Sequence, residues 1–140
     1  MFDQPIKYVM EQKKFLTAPP ETTVSSAAKQ MAEKNVGAVL VVDNGSLVGI
    51  FSERDAVFRV IAKGLDAVTT RLIDVMTASP KTLDAAKTYG HALLLMQENG
   101  FRHVPVMDNG RLVGIVSSRN AMDPDMEDFI SEERRREHHR

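Results

Sequence analysis

The stretch DNGSLVGIFSERDA, residues 43–56, occurs again 65 positions later as DNGRLVGIVSSRNA, residues 108–121, and ten of the 14 positions are identical. The same offset aligns four further identical pairs upstream, from Met31 with Met96 to Val41 with Val106. Agreement over so many positions is not expected by chance, so the chain contains an internal repeat. Because each copy must be one structural unit, the repeat decides the fold.

Both copies of the repeat predict an amphipathic helix near their start. Thr23 and Thr88 are suitable N-caps, and Asn35 and Gly100 stand at matching positions where a residue in the left-handed conformation can end the helix. Apolar residues at helical spacing lie between these caps. They are Val24, Ala27, Ala28, Met31 and Ala32 in the first copy and Tyr89, Ala92, Leu93 and Met96 in the second.

A β-hairpin is predicted after each of these helices. Apolar, β-branched runs at residues 38–42 and 47–51 flank Asp-Asn-Gly in the first copy, and residues 103–107 and 112–116 repeat the pattern. Asn-Gly between two such runs is typical of a tight hairpin turn. The hairpin is therefore the central element of each unit.

The complete unit is predicted to be β-α-β-β-α. A short strand is expected before each first helix, near residues 15–17 and 81–83, and a second helix after each hairpin, at residues 52–63 and 117–122. A sheet of about three strands with helices on one face leaves apolar surface on the other, so the two units should pack together. The predicted fold class is α+β, with two β-α-β-β-α modules packed about a pseudo-twofold axis and a ligand groove between them.

The composition excludes several classes of protein. The 140 residues are 43% hydrophobic and 26% charged, and no apolar run approaches the roughly 18 residues of a membrane span. The absence of cysteine excludes disulfides, thiolate zinc sites and cysteine nucleophiles. A net charge of -1 gives no field that would attract nucleic acid. The polar start of the chain lacks a signal-peptide pattern, so we expect a cytoplasmic protein.

The duplicated motifs resemble a tandem pair of cystathionine β-synthase (CBS) domains, an arrangement called a Bateman module. The resemblance rests on Val-Met at residues 9–10 and 75–76, on RHVPV at residues 102–106, and on the Gly-hydrophobic-x-Ser-x-x-Asp/Asn elements that end at Asp55 and Asn120. The limits that it implies are residues 1–8 for a lead-in, 9–70 and 71–123 for the two modules, and 124–140 for a charged, partly helical tail.

The resemblance implies regulation without catalysis. Such modules bind adenosine-containing ligands, commonly AMP, ADP, ATP, NAD-type dinucleotides or S-adenosylmethionine, as regulatory ligands and not as catalytic cofactors. The partners that it implies are an unidentified regulated protein and a second copy of the chain, in a homodimer. No Walker-type loop, GxGxxG, HExxH or Ser-His-Asp pattern indicates an enzyme, and neither a metal site nor a membrane partner is expected.

The principal cleft is expected to be built on Asp55. A carboxylate can accept from both hydroxyls of a ribose, and the Ser52 hydroxyl can donate to a ribose or phosphate oxygen. Ser-x-x-Asp is also a capping-box pattern, in which Ser52 merely satisfies the start of the helix, and the two functions can coexist. By resemblance, basic residues of the other module would reach phosphates, and residues 80–82 and Ile50 would flank the adenine. The expected set is Ile50, Ser52, Arg54, Asp55, Pro80, Lys81, Thr82, Arg102, His103 and Arg119.

A second cleft, built on Asn120, is expected to be weaker. Gly37 and Ala38 stand where the first cleft has Arg102 and His103, and Asn120 is a neutral amide where the first cleft has a carboxylate. Its expected residues are Leu16, Thr17, Ala38, Ile115, Ser117 and Asn120.

A structural dimerisation or scaffold domain with vestigial clefts is the competing interpretation. It predicts that neither the melting temperature nor the association state changes with any nucleotide. Nucleotide titration therefore separates the two functions.

Overall fold

The computed structural model describes residues 2–10, 15–118 and 132–137. The predicted helix at residues 117–122 falls largely outside these ranges, as do the candidate site residues Arg119 and Asn120. Residues 132–137, within the predicted charged tail, are helical.

The first module contains the predicted elements in the predicted order. They are β1 (Leu16–Ala18), α1 (Val24–Lys34), β2 (Ala38–Asp43), β3 (Ser46–Ser52) and α2 (Glu53–Asp55), which continues as a π-helix over Ala56–Ile61. The second module follows a short helix and strand, α3 (Leu72–Val75) and β4 (Thr77–Ala78), and consists of β5 (Leu83–Asp84), α4 (Tyr89–Asn99), β6 (His103–Asp108) and β7 (Arg111–Ser117). A 3₁₀ turn, Ile6–Tyr8, lies near the start of the chain.

The helix boundaries are set by local side-chain chemistry, as predicted. The hydroxyls of Thr23 and Thr88 accept hydrogen bonds from the amides of Ser26 and His91, each three residues on. At the far ends Asn35 (φ 55°) and Gly100 (φ 72°) adopt the left-handed conformation. The two helices therefore start and stop at equivalent residues of the repeat. The predicted apolar stripe was too wide, because Ala28 and Ala32 of α1 are exposed.

Both hairpin turns have the geometry that Asn-Gly favours. Asn44 and Gly45 have φ values of 50° and 80°, and Asn109 and Gly110 have 50° and 78°. A positive φ at both central residues defines the type I′ turn, whose twist matches that of paired strands. The pairing register also shifts at the same place in both hairpins, between Val41 and Val42 and between Val106 and Met107.

The two sheets differ from the prediction at β4 and β5. The first sheet has four strands in the order β1-β2-β3-β4, because Thr77 and Ala78 add an unpredicted strand beside β3. The second sheet has the order β5-β6-β7, and its β5 pairs with β6 only through Leu83 and Asp84. Pro105 of β6, which has no N–H to donate, lies one residue before the point where this pairing begins.

Strand β2 is buried on both faces and separates two clusters of apolar side chains. Val39 and Val41 pack in the core of the first module with the buried face of α1. Ala38 and Leu40 point to the opposite face, because successive side chains of a strand alternate. There they meet Ile115 of the second module.

The contact between the modules is close to symmetric. Its remaining members are Phe15, Leu47, Ile50 and Leu112, so that Ile50 and Leu47 of one module meet their repeat equivalents Ile115 and Leu112 of the other. The predicted α+β fold, with two repeats packed about a pseudo-twofold axis, is thus confirmed. The groove beside this contact is where the candidate site lies.

Each module is completed by a segment that precedes the other. We call residues 2–10 the first lead-in and residues 70–76 the second lead-in. Ile6 of the first lead-in is fully buried in the core of the second module, and Val9 and Met10 pack against that core. Leu72 and Val75 of the second lead-in are buried in the core of the first module.

Equivalent hydrogen bonds hold both exchanged segments. The Ile6 amide donates to the Lys87 carbonyl (2.8 Å), and the Leu72 amide donates to the Thr22 carbonyl (2.8 Å). The amides of Tyr89 and Val24, at the starts of α4 and α1, donate to Gln4 (2.9 Å) and Thr70 (2.8 Å). Since residues 87 and 89 are the repeat equivalents of residues 22 and 24, the exchange is reciprocal.

The second lead-in ends against β3, at a glycine. A Cβ atom on Gly49 would lie 2.9 Å from Cγ and Cε of Met76, with the Met76 sulfur closer still. Any larger residue at this position would displace Met76. Gly49 therefore allows the lead-in to lie directly on the strand that carries Ile50 and Ser52.

Candidate functional site

The end of β3 and the start of α2 form a complete capping box. The Ser52 hydroxyl accepts from the Asp55 amide (3.3 Å), and the Asp55 Oδ2 accepts from both the amide (2.9 Å) and the hydroxyl (3.2 Å) of Ser52. The Asp55 side chain is only 14% exposed. The capping function that competes with ligand binding is therefore present at this position.

The second oxygen of Asp55 faces an arginine. Oδ1 lies 3.5 Å from Nε of Arg59, one π-helical turn further on. The Nη1 atom of Arg59 donates to the carbonyls of Val75 (3.3 Å) and Met76 (3.0 Å). One guanidinium thus bridges Asp55 and the second lead-in.

Residues 77–82 continue from this anchor along the edge of the first sheet. Thr77 pairs with Ile50 and Ala78 with Gly49, and the Ser79 amide donates to the Val48 carbonyl (3.0 Å). Pro80 follows and is half-buried, while Lys81 and Thr82 are exposed. The predicted adenine-flanking residues therefore emerge from the strand that pairs with β3.

A small pocket that opens to solvent lies between the two modules at the ends of β2, β6 and β7. It brings His103 of the expected principal set together with Ala38, Ile115 and Ser117 of the expected second set. The remaining lining residues are Phe15, Asn35, Val36 and Gly37. His103 is the one member of the principal set among these lining residues, which do not include Asp55, Ser52 or Ile50.

Gly37 lines the pocket and lies close to two side chains. A Cβ atom at this position would lie 3.2 Å from Oε1 of Glu53 and 3.4 Å from Nε2 of His103. The Gly37 carbonyl accepts a hydrogen bond from the Glu53 amide (2.9 Å). The equivalent pair of the second module repeats this contact, since the Arg102 carbonyl accepts from the Ser118 amide (3.0 Å). The side chains of Glu53 and His103 therefore face a glycine backbone, and a larger residue would close this space.

The other expected residues are not among those that line this pocket. The Arg54 guanidinium is stacked 4.5 Å from the centre of the Phe58 ring, and Arg102 is exposed beside His103. Leu16 is buried in the core of the first module, so that Thr17 is the exposed residue of β1. Positions 119 and 120 lie outside the described residues.

Several residues of this region were absent from the expected set. Phe15, Asn35, Val36 and Gly37 line the pocket, Glu53 lies beside Gly37, and Arg59 pairs with Asp55. A spacing of four residues between Asp55 and Arg59 is the signal of a helical ion pair, and it was visible in the sequence. The approach of Glu53 to Gly37 depends on how β2 and α2 meet and has no comparable signal.

The described ranges contain no group of three or more histidine, aspartate or glutamate side chains arranged to hold a metal ion. Of the helices in the same ranges, none is both long and apolar enough to span a membrane.

A comparison with known protein families matches residues 6–62 and residues 72–124 to the CBS domain. The chain belongs to the CBS domain family. The two matched segments correspond to the two copies of the repeat, so the chain carries a tandem CBS pair, as the sequence predicted.

Solved structures resemble this fold over most of the chain. A conserved protein of uncharacterised function from Pyrococcus horikoshii superposes with a TM-score of 0.82 at 30% identity, over 89% of this chain and 94% of that one. A CBS domain protein from Pyrobaculum aerophilum, complexed with AMP, gives 0.75 at 25% identity, over 84% and 89%. A hexameric CBS-CP12 protein from bloom-forming cyanobacteria gives 0.77 at 26% identity, over 83% and 65%.

Several curated proteins that match this CBS pair are much longer than the chain. At 36% to 41% identity, the chain spans only 13% to 19% of their length. The similarity therefore concerns the CBS pair and does not extend to the remainder of those proteins.

Proposed function

We propose that this CBS pair is a cytoplasmic, non-catalytic regulatory module that binds an adenosine-containing ligand between its two modules and passes the occupancy to a partner protein. The observation that carries the proposal is the Asp55 carboxylate, which is largely buried beside β3 and directs Oδ1 away from its capping contacts. The similar protein from Pyrobaculum aerophilum, complexed with AMP, supports the choice of ligand class.

Asp55 retains acceptor capacity after its structural contacts are counted. A carboxylate has about four lone-pair sites. Ser52 donates to Oδ2, and within residues 2–10, 15–118 and 132–137 Arg59 is the residue that pairs with Oδ1. Oδ1 can accept a hydrogen bond from a ribose hydroxyl while the capping box stays intact. Capping and ligand binding are therefore compatible at Asp55.

The Asp55 cleft remains the proposed principal site. Arg102 is exposed, and the adjacent His103 lines the pocket between the modules. Because a guanidinium group binds phosphate oxygens and an imidazole N–H can donate to them, these two residues would favour a ligand that carries at least one phosphate. The second cleft has a glycine and an alanine at the equivalent positions, which leaves Arg54 as its main cation.

A scaffold with vestigial clefts is the second candidate. The capping box and the Arg59 ion pair favour it, because they give Asp55 a structural function that requires no ligand. Only the response to nucleotides separates the two candidates.

AMP at about 100 times its dissociation constant is expected to raise the melting temperature of the wild-type protein by roughly 5–11 °C, and Asp55→Ala is expected to abolish that rise. The physical reason is that only the folded state binds, and the alanine removes the ribose acceptor. Differential scanning fluorimetry measures the shift, with ADP, ATP, NAD, NADH and S-adenosylmethionine in parallel.

The matched control is Asp43→Ala, at an exposed carboxylate on the far end of β2. It should keep the full nucleotide shift. Each variant is compared with itself in the absence of nucleotide, because loss of the Asp55 cap lowers the melting temperature directly. If no ligand shifts the wild-type protein, the scaffold function is the correct one.

We further propose that the partner includes a second copy of the chain. Val57, Phe58 and Ile61 expose an apolar face on the π-helical segment, and Ile61 is 72% exposed. Large exposed apolar groups that lie together are typical of protein interfaces. The similar CBS-CP12 protein from bloom-forming cyanobacteria is hexameric, which supports assembly of a CBS pair with further copies.

Ile61→Asp is expected to convert a dimer to a monomer, because it places a charge in an apolar contact. Sedimentation velocity should give twice the chain mass for the wild-type protein and the single-chain mass for the variant. Ile73→Asp, an exposed isoleucine on α3, is the matched control and should remain dimeric. A monomeric wild-type protein at high micromolar concentration would contradict the proposal.

A further inference from the structure

We propose that Arg59 is a positioning residue of the ligand cleft, which fixes Asp55 and the adenine-flanking segment relative to one another. This inference rests on the proposed function and specifies how that site is assembled. It concerns a residue that lies outside the expected binding set. The inference is based on the contacts of the Arg59 guanidinium with Asp55 and with the backbone of the second lead-in.

The first side is the carboxylate. Arg59 Nε lies 3.5 Å from Oδ1 of Asp55, which is the oxygen not used in the capping box. The ion pair limits the rotation of the carboxyl group about its last bond, since Oδ2 is held by Ser52 at the same time. Asp55 is therefore oriented before any ribose arrives, which reduces the entropy lost on binding.

The second side is the backbone of the second lead-in. Nη1 of Arg59 donates to the carbonyls of Val75 and Met76 at 3.3 Å and 3.0 Å. These carbonyls lie immediately before β4, and only Thr77, Ala78 and Ser79 separate them from Pro80. The position of residues 80–82 therefore depends on the same guanidinium as the position of Asp55.

The second copy of the repeat has no equivalent of the Asp55–Arg59 pair in its sequence. At the offset of 65, Asp55 corresponds to Asn120 and Arg59 to Pro124. Neither a carboxylate nor a cation is available for an equivalent bridge. The two-sided bridge thus distinguishes the cleft built on Asp55 from the cleft built on Asn120.

The test compares AMP with 2′,3′-dideoxy-AMP, which lacks the ribose hydroxyls. Isothermal titration of the wild-type protein should show a preference for AMP of about tenfold or more, as expected for loss of a hydrogen bond to a charged group. In Arg59→Gln that preference should fall to about twofold or less, because the carboxylate is no longer oriented. A merely structural arginine would weaken the two ligands equally.

Arg71→Gln is the matched control. Arg71 also forms an ion pair, with Asp74 at 3.4 Å, and it lies within the same lead-in, where it bridges Thr23 and not Asp55. This variant should keep the full preference for AMP. If Arg59→Gln does not fold, Arg59→Lys replaces it, and a partial loss of preference is then expected because one ammonium cannot reproduce the separate Nε and Nη1 contacts.

A second readout needs no ligand. Hydrogen exchange at the Ser79 amide, which donates to Val48, should be faster in Arg59→Gln and unchanged in Arg71→Gln. If Arg59→Gln preferred AMP over 2′,3′-dideoxy-AMP as strongly as the wild-type protein does, the positioning function would be wrong and the proposed function would stand. Wild-type protein that binds neither ligand would overturn the proposed function, and with it this inference.

Discussion

Ile6→Ala is expected to lower the free energy of unfolding by about 2–5 kcal/mol, although Ile6 precedes both copies of the repeat. Its side chain is fully buried among Tyr89, Val104 and Val116 of the second module. Truncation removes the burial of its terminal atoms and leaves a cavity in a core that relaxes only partly. Urea denaturation followed by circular dichroism measures the loss.

Leu72→Ala should have an effect of similar size on the first module. Leu72 is fully buried beside Val24 and Phe51, although in sequence it follows the π-helical segment that ends the first copy of the repeat. The neighbouring Ile73 is 48% exposed, and Ile73→Ala should change stability by no more than about 0.5 kcal/mol. Equal effects of Leu72→Ala and Ile73→Ala would contradict the exchanged packing of the lead-ins.

Leu40→Asp is expected to reduce stability by about 5 kcal/mol or more, which is comparable to the total stability of many domains. Leu40 is fully buried between the two sheets, where it meets Ile115 and Leu112. The aspartate loses the apolar contacts and also brings a charge into a fully buried position. Thermal unfolding at neutral pH should show an unfolded or strongly destabilised protein.

The matched control for this charge is Leu94→Asp. Leu94 lies on α4 and is 53% exposed, so the same chemical change there leaves the carboxylate in solvent. Its effect should stay below about 1 kcal/mol, mainly from helix propensity. If Leu40→Asp and Leu94→Asp unfolded at similar urea concentrations, the modules would not be packed through these strands in solution.

The local elements of the fold could be predicted because their signals are short. Thr23 and Asn35 define α1 through hydrogen bonds within a few residues, and Asn44-Gly45 defines a turn by its backbone preference alone. The repeat then transferred each of these assignments to the second module. Caps, hairpins and the packing of two modules were all confirmed.

The exchanged lead-ins could not be predicted, because they depend on contacts between distant residues. Ile6 and Leu72 lie in runs too short to show a helical or strand period, and the core that receives Ile6 is about 80 residues away in sequence. The strand β4 was missed for the same reason, since Thr77 and Ala78 become a strand only by pairing with Ile50 and Gly49.

The candidate site also has features that local sequence predicts and features that depend on distant contacts. Ser-x-x-Asp indicated both the capping box and a binding carboxylate, and the capping box is observed. The repeat indicated which residues are equivalent, but it carries no information on which equivalents meet across the groove. The pocket therefore joins His103 with Ala38 and Ile115, and the assignment of the ligand to either cleft stays a prediction.

The reciprocal exchange of lead-ins bears on how a gene with two copies of the repeat can arise. A chain with a single copy would carry one lead-in without a core to receive it and one core without the segment that completes it. Two such chains could satisfy each other only by assembling, at a concentration-dependent loss of entropy. Duplication within one gene removes that dependence, since each copy supplies the missing segment of the other at the effective concentration of a tether.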